Sequence, residues 1–183
     1  KKAALELAKQ GYWVFRMGKA VEDLFNVEHP KVVDYAQSNE RSDFLDIWLM
    51  ANCYFCITTG TGLDDIAGLF NRPSVFVNLL PLNHAPLYKH SVTVPKKLFW
   101  EAKGKLLTVK EYMENGHIST KDYERVGIAI VDLESKEISD AVKEMESSLK
   151  KEDYLDEEQL LKQERALTQI FDCDCKNTMR YQF

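Results

Sequence analysis

The sequence predicts an α/β fold, a Rossmann-like parallel sheet flanked by helices, and three observations lead there. Short β-branched or aromatic runs alternate with helix-forming stretches along the first half of the chain. Around residues 54–78 a strand, a helix and a second strand follow one another within about 25 residues, the spacing of a βαβ unit. Of the 183 residues, 45% are apolar, enough for one sizeable core but short for two complete domains.

Residues 2–9 (KAALELAK) are strong helix formers, and Gly11 stands where a helix stop is expected, ahead of the run Trp13-Val14-Phe15. The chain therefore opens as helix then strand, in mid-pattern, which predicts that an opening strand lies upstream. Val32-Val33-Asp34-Tyr35 reads as a second short strand. A polar link then leads to an apolar helix over residues 44–51, with Ser42 as N-cap and Asp43 and Asp46 in its first turn, where carboxylates offset the positive end of the helix dipole. Residues 54–57 (YFCI) read as a buried strand, 58–62 as a tight turn, 63–70 as a helix and 74–78 as a strand after Pro73. A loop over residues 80–90, long enough to carry function, leads to the extended piece Val92-Thr93-Val94. Residues 108–114 predict a short helix and 127–133 (GIAIVDL) one more strand.

Ser135 caps a helix whose Ile138, Val142, Met145 and Leu149 form one apolar stripe, and a second amphipathic helix puts Leu160, Leu167, Ile170 and Phe171 on one side. The predicted organisation is a ligand-binding α/β domain over residues 1–150 and a helical extension over 151–183 packed on it.

Composition excludes several classes. Twenty-four Lys and Arg stand against 29 acids, a formal net charge of −5, which argues against nucleic acid as a partner, since phosphates require a surplus of clustered bases. Residues 134–165 hold 11 acids and 6 bases, so the acidic excess sits in one segment and reads as solvated helix faces. No apolar run approaches the roughly 18 residues of a membrane span, and the first residues lack the features of a cleaved leader; a soluble chain is expected, in the cytoplasm or at the inner membrane's cytoplasmic face. Cys53 and Cys56 have C-x-x-C spacing, with Cys173 and Cys175 far downstream. An odd offset on a strand points two thiols to opposite faces, so core thiols are expected rather than a zinc site.

The informative stretch is residues 57–78, ITTGTGLDDIAGLFNRPSVFVN. A buried strand breaks into Thr58-Thr59-Gly60-Thr61-Gly62 and a helix starts at once. Gly60 and Gly62 allow positive φ, and the hydroxyls of Thr59 and Thr61, with the unpaired amides of the first helical turn, predict an anion cradle at the strand's carboxyl end. In open parallel sheets ligands bind at that edge. The turn matches neither a P-loop nor a complete G-x-G-x-x-G, because position 65 is Asp, and a ligand-free βα connection explains it equally well when it is taken alone.

Six short motifs follow one another in order: RMG (16–18), DYA (34–36), SDFLDI (42–47), TGTG (59–62), PSVFVN (73–78) and PKKLFW (95–100). In these the chain resembles the C-terminal, donor-binding half of a family of bacterial glycosyltransferases of surface-polysaccharide clusters, over roughly residues 1–150; the strand, Gly/Thr turn, helix and R-P-x-V pattern is a looser likeness to heptosyltransferases. The resemblance implies the C-terminal half of a GT-B architecture. It further implies transfer of a sugar from a nucleotide-sugar donor to a glycan or lipid-linked glycan acceptor without metal or other cofactor, and an N-terminal acceptor domain in the parent chain. One departure is marked: heptosyltransferases place His after the turn, and this chain has Asp64-Asp65, which repel a diphosphate unless they point away.

On that reading Arg16, beside Gly18, is the first phosphate ligand, since a guanidinium fork grips phosphate bidentately; an ion pair with Asp34 or Asp43 is its alternative. Thr59, Gly60, Thr61 and Gly62 supply the cradle, and Lys96 a further cation with Lys97 in support. Asp43 and Asp46 position ribose hydroxyls or orient Arg16, with Asp34 and Ser42 as supporting residues, Tyr35 stacks on the base, and Asn78 bonds sugar or phosphate, with helix-end charge compensation, packing and turn capping as the competing explanations. No catalytic base is assigned: His84 and His90 are worth testing, whereas His29 and His117 read as loop residues. Two rivals remain open, a nucleotide-sugar 2-epimerase on the same architecture and a non-catalytic nucleotide-binding module.

Overall fold

The computed structural model describes residues 1–21, 23–82, 85–86, 90–117 and 119–151. The chain divides into two units, Lys1–Met145 and Glu146–Phe183. The second amphipathic helix, Cys173 and Cys175 lie outside the described residues.

Helix α1 (Lys2–Lys9) buries Ala3, Ala4, Leu7 and Ala8, one face of an amphipathic helix, and leads into β1 (Val14–Phe15), which pairs in parallel with β2 (Val32–Val33). A single 3-10 turn, Tyr35–Gln37, follows. Helix α2 (Asp43–Asn52) starts at Ser42, whose hydroxyl accepts the Leu45 amide at 3.2 Å, an N-cap in the position the sequence indicates. Strand β3 (Cys56–Thr58), helix α3 (Leu63–Leu69) and strand β4 (Ser74–Leu79) form the expected βαβ unit. Strand β5 (Ser91–Pro95) extends it in parallel, giving the order β3-β4-β5. Central β4 is the core of this sheet: Val75 and Phe76 are fully buried, as a parallel strand covered on both faces must be.

The α/β character with parallel strands flanked by helices is present, divided among more sheets than the one expected. The parallel strands fall into two sheets, β1-β2 and β3-β4-β5, and a third sheet is antiparallel. It consists of β6 (Lys97–Trp100), flanked by β7 (Lys105–Leu106) and β8 (Ile128–Val131), in the order β7-β6-β8. Strand β8 is the strand expected over residues 127–133, and its partner is the antiparallel β6. Two short helices, α4 (Val109–Glu114) and α5 (Thr120–Arg125), accompany this sheet, whose core is Leu98, Leu107, Tyr123 and Ile128. Helix α4 begins with a capping box: the Thr108 hydroxyl accepts the Glu111 amide, and the Glu111 carboxylate accepts the Thr108 amide at 2.8 Å.

Helix α6 (Ser135–Lys151) buries Ala141, Val142 and Met145. Its Ser139 hydroxyl donates to Glu6 on α1 at 2.5 Å, and Lys143 reaches the same carboxylate at 3.0 Å, so the two helices are joined by a hydrogen bond and an ion pair. Among the described residues no helix is long and apolar enough to cross a membrane.

Candidate functional site

The residues that follow β1, β2 and β3 are Arg16, Asp34 and the turn 59–62, so the leading sequence candidates all sit at carboxyl ends of parallel strands. Why they stand there is local. Parallel pairing uses the backbone of Arg16, whose amide donates to Val33 at 2.9 Å and whose carbonyl accepts from Ala36 at 2.8 Å. Its side chain is thereby projected at the strand end.

The Arg16 guanidinium is committed to the protein. Nε lies 3.0 Å from Asp34 Oδ1, within ion-pair range though not aligned as a hydrogen bond. Nη2 donates to the Asp23 carbonyl at 2.7 Å, and the group lies over the Phe25 ring, 5.5 Å from its centroid. Asp34 Oδ2 in turn accepts the Phe25 amide at 3.1 Å. Arg16 and Asp34 thus hold the segment 23–25 by its backbone, and the Arg16–Asp34 ion pair is the alternative to phosphate binding that the sequence offers. A cavity of about 610 Å³ opens beside them, lined by Phe25, Val27, Val32 and Asp34 among others and by nothing from the turn 58–62.

The turn has the conformation that its glycines permit, with φ +80° at Gly60 and +92° at Gly62. A Cβ at Gly60 meets Leu79 Cδ1 at 2.9 Å, so the loop lies against β4 too closely for a side chain. Residues 59–62 are solvent-exposed. Their donors, however, are not vacant. Asp64 Oδ1 accepts the Thr61 amide at 2.8 Å, the Gly62 amide at 2.9 Å and the Thr58 hydroxyl at 3.2 Å, and the Gly60 amide donates to Thr58 Oγ1 at 3.0 Å. Only 4% of Asp64 is exposed. An internal carboxylate therefore holds the place expected for a phosphate oxygen. Sequence reasoning treated Asp64 as a repulsive neighbour and missed this role; the available signal was a carboxylate at the second helical position beneath a glycine turn.

The supporting residues divide. Asp46 is buried and takes Arg41 Nη2 at 2.9 Å, leaving its Oδ1 without a hydrogen-bond partner among the described residues; Arg41, unselected from sequence, is its counter-charge. Asp43 is exposed in the first turn of α2 and Gly18 adopts φ +142° in the loop after β1. Of the two readings of Tyr35, packing is the one observed and base stacking is not: it is 3% exposed, and its hydroxyl accepts the Ser42 amide at 3.1 Å. Asn78 is corrected, because its Oδ1 accepts the Leu133 amide at 2.8 Å and its φ of +55° accommodates the irregularity between Val77 and Leu79. Lys96 and Lys97 are not free phosphate ligands: Lys96 pairs with Asp132 at 2.6 Å and Lys97 with Glu137 at 2.8 Å. The Glu137 hydrogen bond raises the Lys97 pKa, and the same bond lowers that of Glu137.

The thiols behave as core groups. Cys56 is buried with Sγ 3.1 Å from Ser74 Oγ, and Cys53 Sγ donates to the Met50 carbonyl. Burial pushes the Cys53 thiol up to about 11 and raises Cys56 also, which disfavours the thiolate that a metal or nucleophilic role needs. Among the described residues no three His, Cys, Asp or Glu side chains gather as metal ligands. His84 lies outside them. His29 Nδ1 accepts the Lys31 amide at 3.2 Å, His90 contributes its carbonyl to Ser74, and His117 meets Tyr123 edge-on at 5.0 Å.

Compared with family models, curated proteins and solved structures, the chain matches none.

Proposed function

We propose that this chain is the donor-binding half of a glycosyltransferase that uses a nucleotide-sugar without a metal and transfers to a surface-carbohydrate acceptor. The ordered motif series from RMG to PKKLFW underlies the reading. The observation that carries it is that Arg16, Asp34 and the exposed Thr59-Gly60-Thr61-Gly62 turn stand at the carboxyl ends of parallel strands, the edge where open α/β sheets bind nucleotides. In this reading the leaving phosphate is stabilised by oriented donors and a guanidinium. It meets the turn by displacing the Asp64 carboxylate, and Arg16 by recruiting its outer edge while Asp34 holds the inner one. In this reading the catalytic base comes from the acceptor domain.

The test is calorimetric titration of the chain with UDP, GDP, ADP and CMP in chelator, wild type against Arg16→Ala. One of the four is expected to bind, with affinity falling about tenfold, or about 1.4 kcal/mol, on losing Arg16. Binding by none, or a change under about twofold, counts against the assignment.

A further inference from the structure

Helices α2 and α3 pack side by side, and their outward faces are apolar. Met50 of α2 and Ala67 of α3 share one buried cluster, with Leu63 and Ile66 of α3 packed against it. Arg72 ties the carboxyl ends together, its Nε donating to the Ala51 carbonyl at 2.6 Å. Helix α2 leads into the start of β3 and α3 into the start of the parallel β4, so the two helices run the same way.

Phe44, Ile47 and Trp48 recur at i, i+3 and i+4 and form one ridge on α2. Phe70 continues the row of Leu63 and Ile66 that faces α2, and Leu69 stands beside it. All five are exposed, from 47% at Ile47 to 80% at Leu69. Together they present about 600 Å² of apolar surface, the upper end of what a monomer shows in one patch. The charges at the two ends of the ridge are opposite. Asp43 is exposed where α2 begins, and Arg72 lies half-buried where it ends. From Ser42 to Asn78 the chain has no lysine and no other arginine, so this face lacks the basic cluster that draws a protein to anionic lipid.

We propose that this face docks on the same face of a second copy of the chain, across a two-fold axis that sets the two α2 helices antiparallel. Each end of the ridge then meets the opposite end of the other: Asp43 lies by Arg72 of the second copy, Phe44 packs on its Phe70, and Trp48 sits near the axis. The positive amino end of each α2 lies beside the negative carboxyl end of its counterpart. A surface that is acidic at one end and basic at the other complements itself in this arrangement, as an isologous contact requires. With its polar rim the patch approaches the roughly 800 Å² per partner of a stable interface. None of the five residues lines the cavity beside Arg16 or belongs to the turn 59–62, so the pairing is independent of the proposed activity.

The experiment is sedimentation velocity of the full 183-residue chain over about 1 to 200 μM. The wild type is expected to pass from monomer to dimer with a midpoint at about 10 μM. Trp48→Glu should weaken the pairing about 100-fold or more. Asp43→Arg and Arg72→Glu each set like charges against one another at both ends and should weaken it about tenfold. An equimolar mixture of those two variants restores opposite charges at both ends, so its dimer is expected back within about threefold of the wild-type midpoint. Melting curves report whether each variant folds, and the exposed Asp43→Arg keeps the test decisive where Trp48→Glu or Arg72→Glu does not. A wild type that stays monomeric throughout overturns the proposal, as does pairing that survives Asp43→Arg unchanged or a mixture of folded variants that stays monomeric. Monomeric wild type that pellets with phosphatidylglycerol vesicles, while Trp48→Glu does not, gives the face to lipid and overturns the proposal too.

Discussion

Replacing Asp64 with alanine separates a carboxylate that braces the turn from one that acts on a ligand. One oxygen accepts the amides of Thr61 and Gly62 and the hydroxyl of Thr58, at 2.8, 2.9 and 3.2 Å. Hydrogen bonds to a charged acceptor contribute about 1.5–3 kcal/mol each. Here three donors share one atom, and water can reach the exposed Thr61 and Gly62 once the carboxylate is gone. The expected net loss is therefore about 2–3 kcal/mol, which for a chain of this size lowers the melting temperature by about 5–10 °C. Asp64→Asn keeps an acceptor and loses its charge, so it should fall near the middle. Urea denaturation gives the stability, and titration with UDP gives the second readout: freeing two amides and removing a negative charge should tighten UDP binding about fivefold, or about 1 kcal/mol. A stability change below about 0.5 kcal/mol refutes the bracing role. Weakened UDP binding refutes the idea that the carboxylate competes with the anion.

Asn78→Ala should cost about 2 kcal/mol, half from the Leu133 hydrogen bond and half from left-handed backbone without a glycine or asparagine, and Asn78→Gly should recover the second half in urea melts. Lys96→Ala and Lys97→Ala should leave UDP affinity within about twofold and stability within about 1 kcal/mol, because each removes a partly exposed ion pair. The capping box makes stability depend on acid: hydrogen bonds from Thr108 hold Glu111 at about 2, below its usual 4.5. A lowered carboxylate pKa stabilises fully above the unfolded value and is lost as pH falls from about 4.5 toward about 2, so Glu111→Gln should flatten that stretch of a urea-midpoint profile.

The local chemistry of the first half was legible. Ser42 caps α2, residues 63–69 form the helix after the glycine turn, and β4 after Pro73 is buried as its unbroken apolar run implies. What was not legible depends on partners distant in sequence. PKKLFW carries two lysines that look available for phosphate, yet Lys97 opens β6, and Asp132 and Glu137, more than thirty residues on, neutralise the pair. Strand β8 has the same apolar signature as a parallel strand, and only its pairing with β6 reveals the antiparallel sheet. Asn78 looked like a strand-end ligand because nothing local announces a bond to Leu133, fifty-five positions away. The boundary of β3 shifted because Tyr54 and Phe55 have strong strand propensity but stand before the ladder begins.

The same physics that recommends this edge for an anion explains why the chain fills it with its own carboxylates. Oriented amides and a guanidinium at strand ends need acceptors, and Asp64 and Asp34 supply them from the chain itself. Both acceptors are tethered, so an incoming phosphate gains only the difference between its own contacts and those it displaces. The local charge sharpens this: Asp64 and Asp65 both stand in the first turn of α3, so an anion brought to the 59–62 turn meets two carboxylates there. Rotating Asp64 outward removes its oxygen from the amides but leaves its charge within a Debye length. An anion bound at the turn therefore has to gain more from the Thr61 and Gly62 amides than is lost when Asp64 leaves them.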